Sequence, residues 1–87
     1  MPSLILRNYE SKKPTLLNTD AIVTVSVESN EKDYTAISPL RLVIFQINSA
    51  GYPSLYVPIN ESGEEDTLQA DPEAALLAFQ MALRAAR

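Results

Sequence analysis

The C-terminal segment DPEAALLAFQMALRAAR predicts one short α-helix with almost no polar side. Asp71 suits the N-cap and Pro72 the first helical position, while Glu73 lies in the first turn, near the positive end of the helix dipole. At about 100° per residue, the polar side chains of this helix fall within a wedge only about 60° wide. A surface helix normally exposes about half of its circumference to solvent. The apolar part of this helix is wider, so it needs unusually extensive burial against other residues.

The apolar part of the helix divides into three strips. Opposite the polar wedge lies a strip of small residues, here called the alanine ridge: Ala74, Ala75, Ala78, Ala82, Ala85 and Ala86. One flank of the ridge carries Leu76, Phe79 and Leu83, and the other carries Leu77 and Met81. Small side chains allow another backbone to approach closely. The ridge therefore packs either on the protein's own sheet or on a partner.

The size of the apolar arc favours a partner. One small sheet face hardly covers an arc of roughly 240°, and burial of each Leu or Phe side chain is worth about 1.5–3 kcal/mol. We therefore predict that the chain forms a homo-oligomer, with a dimer favoured, and that another protein is the alternative partner. The residues predicted to make this contact are Ala75, Ala78, Phe79, Ala82 and Leu83, with Arg84 and Arg87 at the rim.

The residues before the helix predict strands. SLILRNY (residues 3–9) alternates, with Leu4 and Leu6 on one face, and a turn around Pro14 follows it. LLNTD is interpreted as a short extension, and TAISP as a short strand that Pro39 ends. In AIVTVSVE, three valines face one way (Val23, Val25 and Val27) and three polar residues face the other (Thr24, Ser26 and Glu28).

The next two strands complete the predicted sheet. LRLVIFQIN is apolar on both faces, which is typical of a central strand covered on both sides. In SLYVPI, the residues predicted to point inward are Leu55, Val57 and Ile59. The prediction is an α+β fold in a single domain over residues 1–87, with a four- or five-stranded, mostly antiparallel sheet and one C-terminal helix packed on it.

Composition excludes several chemistries. The 87 residues are 46% hydrophobic and 21% charged, as in ordinary globular domains, and they contain neither Cys nor His. Disulfides, thiol nucleophiles and histidine-based triads are therefore excluded within one chain. Gly51 and Gly63 are the only glycines, so no phosphate-binding glycine loop is present. We predict a non-enzymatic protein with no catalytic residue, cofactor or metal site.

The location expected from the sequence is the cytoplasm. No apolar run approaches the roughly 18 residues that span a bilayer, so we expect no membrane contact. The first residues, MPSLILRNYESKK, lack the basic start, apolar stretch and cleavage site of a signal peptide.

An acidic stretch, NESGEEDTLQADPE, precedes the helix. Its carboxylates are Glu61, Glu64, Glu65, Asp66, Asp71 and Glu73. Carboxylates are calcium ligands, but the spacing is not that of an EF-hand loop, so a solvated loop is favoured.

Nucleic acid is a less favoured partner that stays open. The net charge of −4 gives no general attraction to phosphates. The basic residues of the first half could form a local patch, with Tyr9 and Tyr34 available to stack on bases. These basic residues are Arg7, Lys12, Lys13, Lys32 and Arg41. The alternative is that they belong to the solvated face of a sheet.

Two resemblances offer alternative functions. VTVSVESNEKDYTAISPLRLVIFQ, then SLYVPINESGEED and a helix, resembles the C-terminal part of the coat proteins of single-stranded RNA bacteriophages. That resemblance implies a dimer with helices packed over the partner, and RNA near Thr24, Ser26, Lys32 and Tyr34. GYPSLYVPI followed by DPEAALLAFQMAL is similar to HicB-type antitoxins, which implies a small partner-binding module.

The function predicted from the sequence is association. We predict a self-associating structural or accessory protein that acts through protein–protein contact, with a virus or mobile element as the favoured source. The alternatives are a coat-like RNA-binding protein, a HicB-like antitoxin, and a small-ligand binder with a pocket between sheet and helix.

Overall fold

The computed structural model describes residues 3–29, 38–47 and 51–86. In chain order the elements are β1 (Ser3–Arg7), β2 (Pro14–Asn18), β3 (Ile22–Ser29), β4 (Leu40–Gln46), β5 (Ser54–Tyr56) and α1 (Pro72–Ala86), with one 3-10 turn (Thr19–Ala21) before β3. The predicted α+β class with one C-terminal helix is confirmed. The predicted single sheet is wrong, because the strands form two antiparallel sheets, β1-β2 and β3-β4-β5.

Within the described residues, the backbones of the two sheets are joined by one bridge, between Asn8 and Tyr56. There the amide of Tyr9 donates to the carbonyl oxygen of Leu55 at 2.8 Å, and the amide of Val57 donates to that of Arg7 at 2.9 Å. β5 is only three residues long, and Pro58, soon after its end, has no amide proton to extend a ladder. The contact between β1 and β5 therefore stays too short to join the sheets into one.

β1 and β2 form a hairpin that the sequence analysis did not predict, since it interpreted Pro14 as a break and LLNTD as an extension. Proline is tolerated at the first residue of a strand, and β2 begins at Pro14. Leu4 pairs with Leu17 on the core face, and Ile5 pairs with Leu16 on the outer face. Leu17 is buried, whereas Ile5 and Leu16 are both exposed.

The turn of this hairpin places a lysine in the left-handed region. The Asn8 Oδ1 atom accepts hydrogen bonds from the amides of Glu10 and Ser11, each at 2.9 Å. Lys12 then has φ 61°, a conformation that costs a residue with a Cβ roughly 1–2 kcal/mol relative to the right-handed region.

Lys12→Gly should stabilise the protein, since glycine adopts positive φ without a steric penalty. Glycine also gains freedom in the unfolded chain, so we expect a net increase in unfolding free energy of only about 0.5–1 kcal/mol. Urea denaturation of the variant and the wild type measures the difference. Lys13→Gly, one residue later and outside the positive-φ region, is the matched control and should not stabilise.

β3 follows the predicted alternation except at its start. Val25 and Val27 pack against the core, opposite Ile44 and Leu42 of β4, as predicted. A register shift between residues 22 and 24 inserts an extra residue. Ile22 therefore takes the inward position, and Val23 is 61% exposed, contrary to the prediction.

β4 is the central strand of its sheet, as predicted. Its second apolar face is not bare: Val43 is only 5% exposed within one protomer. On β5, Tyr56 faces the core beside Leu42, while Leu55 lies half-buried beside Val43 on the other face, which reverses the predicted orientation.

α1 packs on β3 and, less extensively, on β1. The main core cluster contains Leu6, Leu17, Leu42, Ile44, Tyr56, Ile59, Phe79 and Ala82. Val57 and Ile59 are buried, as predicted.

Residues 35–37 of the predicted TAISP strand lie outside the described residues, and Ser38 and Pro39 form a bend.

Candidate association surface

The N-terminus of α1 is capped as the sequence predicts. The Oδ1 atom of Asp71 accepts a hydrogen bond from the Glu73 amide at 3.1 Å, and the Ala75 amide donates to the Asp71 carbonyl oxygen at 3.0 Å. The first bond satisfies a donor that the first turn leaves unpaired, and the second is the first intrahelical hydrogen bond. The cap fixes where the helix begins and so which residues face the core.

The inward face of α1 is built from the alanine ridge and one flank. Ala75, Phe79 and Ala82 are 1%, 1% and 2% exposed, respectively. Leu83 packs against the same core and is partly buried. The alanine ridge could pack either on the protein's own sheet or on a partner. Its inward part packs on the protein's own strands, where alanine lets the helix come close to β3.

The predicted contact residues are thus divided. Ala75, Phe79 and Ala82 lie inside one protomer and present no surface to a partner. Ala78 and Leu83 are half-buried and Arg84 is exposed, while Arg87 lies outside the described residues. Contact of these residues with a partner stays a prediction, and the accessible apolar residues of α1 are different ones.

The outer face of α1 carries three large apolar side chains. Leu76 is 42% exposed, Leu77 is 56% exposed and Met81 is 41% exposed. Leu77 and Met81 are separated by one helical turn, so their side chains lie next to each other. The helical pattern places Leu77 and Met81 on one flank of the helix, but neither residue was among the predicted contact residues. No signal in the sequence separates the two flanks, because Phe79 and Leu77 both suit a core.

A groove of about 410 Å³ runs beside this face, between α1 and the loop that precedes it. Its helix side is formed by Ala74, Leu77 and Ala78, and its loop side by Asn60, Glu61, Ser62, Asp66 and Gln69. The Asn60 Oδ1 atom accepts from the amides of Ser62 and Glu64, which holds the loop in shape. This groove, between helix and loop, differs from the predicted pocket between helix and sheet, and it leaves Leu77 accessible.

The acidic stretch shows one ion pair in the described part of the chain. Glu65 contacts Arg7, with 2.8 Å between the carboxylate oxygen and Nε. Within residues 3–29, 38–47 and 51–86, no three acidic side chains come together in a geometry that would hold a metal ion. The favoured interpretation of this stretch stays a solvated loop.

The predicted basic patch is partly neutralised by carboxylates. Arg7 pairs with Glu65, and Arg41 contacts the Glu28 carboxylate through Nη2 at 2.8 Å and Nε at 3.1 Å. Lys12 and Lys13 are exposed in the hairpin turn. Lys32 lies outside the described residues. Two of the five basic side chains therefore contribute little net positive charge to a phosphate-binding surface.

The residues that the coat-protein resemblance places near RNA are only partly described. Thr24 and Ser26 are exposed on the face of β3 opposite Val25 and Val27. Tyr34 and Lys32 lie outside the described residues. Further along β3, Glu28 pairs with Arg41 of β4, so the charge of Arg41 is already compensated by a carboxylate.

No helix in the described part of the chain has both the length and the apolar character needed to cross a bilayer.

Comparisons of the chain with models of known protein families, with curated proteins and with solved structures found no match.

Proposed function

We propose that this protein acts by associating with further copies of itself through the outer face of α1, as a non-enzymatic structural or accessory protein. The observation that carries the proposal is the exposure of Leu77 and Met81, at 56% and 41%, side by side on one helix. The opposite face of the same helix is already occupied by the protomer's own core.

The energetics favour covering this face. Full burial of a Leu or Met side chain is worth about 1.5–3 kcal/mol, so two half-exposed side chains forgo roughly 2 kcal/mol in each protomer. Scattered exposed apolar residues are common on protein surfaces, whereas adjacent ones more often mark contact sites. The apolar wall of the groove, formed by Ala74 and Ala78, extends the same surface beside Leu77 and Met81.

The size of the surface sets the strength of the association. Complexes that bury less than roughly 1,200 Å² of total area are weak and transient, and a contact through one helix face falls below this value. The loss of translational and rotational freedom opposes a contact of this size. We therefore expect a dissociation constant on the order of 10⁻⁵–10⁻³ M, so that copies must be concentrated, as in an assembly, for the contact to form.

The test is sedimentation equilibrium between about 10 μM and 1 mM. We expect the wild type to shift from monomer towards dimer over this range, and Leu77→Glu to stay monomeric at 1 mM, because a carboxylate cannot be buried unpaired at the contact. Leu68→Glu is the matched control, since Leu68 is 90% exposed and lies in the loop rather than on the helix. It should associate as the wild type does.

The proposal fails if the wild-type protein sediments as a monomer at every concentration. It also fails if Leu77→Glu and Leu68→Glu weaken association equally, because the contact would then not involve the outer face of α1. Far-ultraviolet circular dichroism shows that each variant remains folded before its mass is interpreted.

A further inference from the structure

The outer face of α1 carries opposite charges at its two ends. Glu73 lies in the first turn and Arg84 in the last, and both are exposed. Between them, on the same side of the helix, lie Leu77 and Met81. The ion pairs in the described part of the chain are Arg7–Glu65 and Arg41–Glu28, so neither Glu73 nor Arg84 takes part in one there.

These four side chains form a strip, here called the outer strip: Glu73, Leu77, Met81 and Arg84. At about 100° per residue they fall within an arc of roughly 80°. At about 1.5 Å per residue, Glu73 and Arg84 are separated by roughly 16 Å along the helix axis. The midpoint between Glu73 and Arg84 and the midpoint between Leu77 and Met81 coincide to within about 1 Å along that axis.

We propose that the partner on this face is a second copy whose α1 runs antiparallel, related by a two-fold axis that crosses the outer strip between Leu77 and Met81, at the level of residues 78 and 79 along the helix axis. In this arrangement Leu77 contacts the partner's Met81, and Glu73 pairs with the partner's Arg84. The two-fold symmetry repeats each of these contacts. The inference rests on the proposed function and adds the orientation and the charge pairing of the contact.

The charged pair and the apolar pair share a midpoint along the helix, and this favours a second copy of α1 that runs antiparallel. A two-fold axis at that level satisfies the apolar pair and the charged pair together, so the strip is complementary to itself. A parallel pair would instead bring the two Glu73 side chains together at one end and the two Arg84 side chains together at the other, which is repulsive. The antiparallel pair also sets opposite ends of the helix dipoles beside each other.

Charge reversal tests the pairing. In sedimentation equilibrium at low salt, Glu73→Arg and Arg84→Glu should each weaken association about tenfold, because each places like charges at both ends of the pair. The double variant should return to within about threefold of the wild type. High salt should shrink these differences, since the pairs are exposed to solvent. Glu10→Arg, in the hairpin turn away from α1, is the matched control and should change nothing.

Disulfide trapping tests the direction independently, because the chain has no cysteine of its own. An equimolar mixture of Glu73→Cys and Arg84→Cys proteins, oxidised at high concentration, should yield mainly the mixed disulfide. Each variant oxidised alone should yield little dimer, since like positions lie roughly 16 Å apart along the helices. Mass spectrometry separates the mixed product from the two symmetric ones.

The outcomes separate the orientation from the function. An associating wild type with no rescue in the double variant, or with mainly symmetric disulfides, overturns the antiparallel pairing and leaves self-association standing. A wild type that stays monomeric to 1 mM overturns both. Mixed disulfides together with charge rescue support both.

Discussion

Phe79→Ala should lower the free energy of unfolding by about 3–5 kcal/mol, the range measured for truncation of a fully buried aromatic side chain. Phe79 is 1% exposed and packs in the main core cluster. A chain of 87 residues has roughly 4–13 kcal/mol of stability in total. The variant should therefore be partly or wholly unfolded at 37 °C, which urea denaturation followed by circular dichroism measures.

Leu77→Ala is the matched control for this loss. It removes a large apolar side chain two residues away on the same helix, but from a position that is 56% exposed. At a concentration where the protein is monomeric, we expect it to cost less than about 1 kcal/mol. Equal losses for Phe79→Ala and Leu77→Ala would contradict the orientation of α1. If Phe79→Ala instead left the free energy of unfolding unchanged and abolished only oligomerisation, Phe79 would belong to the partner contact, as the sequence predicted.

Ala82→Glu should unfold the protein outright. Ala82 is 2% exposed in the same core cluster, where β3 and α1 approach each other. A carboxylate there enters an apolar core cluster, and burial of an unpaired charge costs several kcal/mol. The loss is of the same order as the whole stability of the domain. We expect a collapsed amide proton spectrum and loss of β-sheet circular dichroism.

Ala85→Glu separates burial from the general effect of an acid near the end of a helix. Ala85 belongs to the same alanine ridge, one residue before the end of α1, but is exposed. Its replacement should cost only about 0.5–1 kcal/mol, from the unfavourable position of a carboxylate near the helix C-terminus. A folded Ala82→Glu protein with the stability of Ala85→Glu would contradict the packing of the ridge on β3.

The secondary structure was largely predictable because its signals are local. Asp71, Pro72 and Glu73 mark the start of α1 through hydrogen bonds and dipole interactions within one turn. The alternation of Val25 and Val27 with polar residues identified β3, and the two-faced β4 identified the central strand. The misses included Pro14 at the start of β2, the extra residue at Val23 and the orientation of Leu55 on β5. All three depend on pairing with another strand, which local patterns do not contain.

The accessible surface was less predictable than the fold. The helical pattern showed correctly that more apolar side chains exist than one sheet face covers. It did not show which flank the sheet takes, because Phe79 and Leu77 both suit a core by composition. The outcome depends on the volume that β3 and β1 leave under the helix, and Phe79 with Leu83 fills it.

From its amino-acid order alone, this protein has an α+β class, a capped C-terminal helix and no cysteine or histidine chemistry, because these follow from residue identity and from interactions within a few positions. Only the tertiary structure decided that the strands divide into two sheets, that Ala75, Phe79 and Ala82 belong to the protomer's own core, and that Leu77 and Met81 stay at the surface. Those outcomes result from competition among distant segments for the same buried volume.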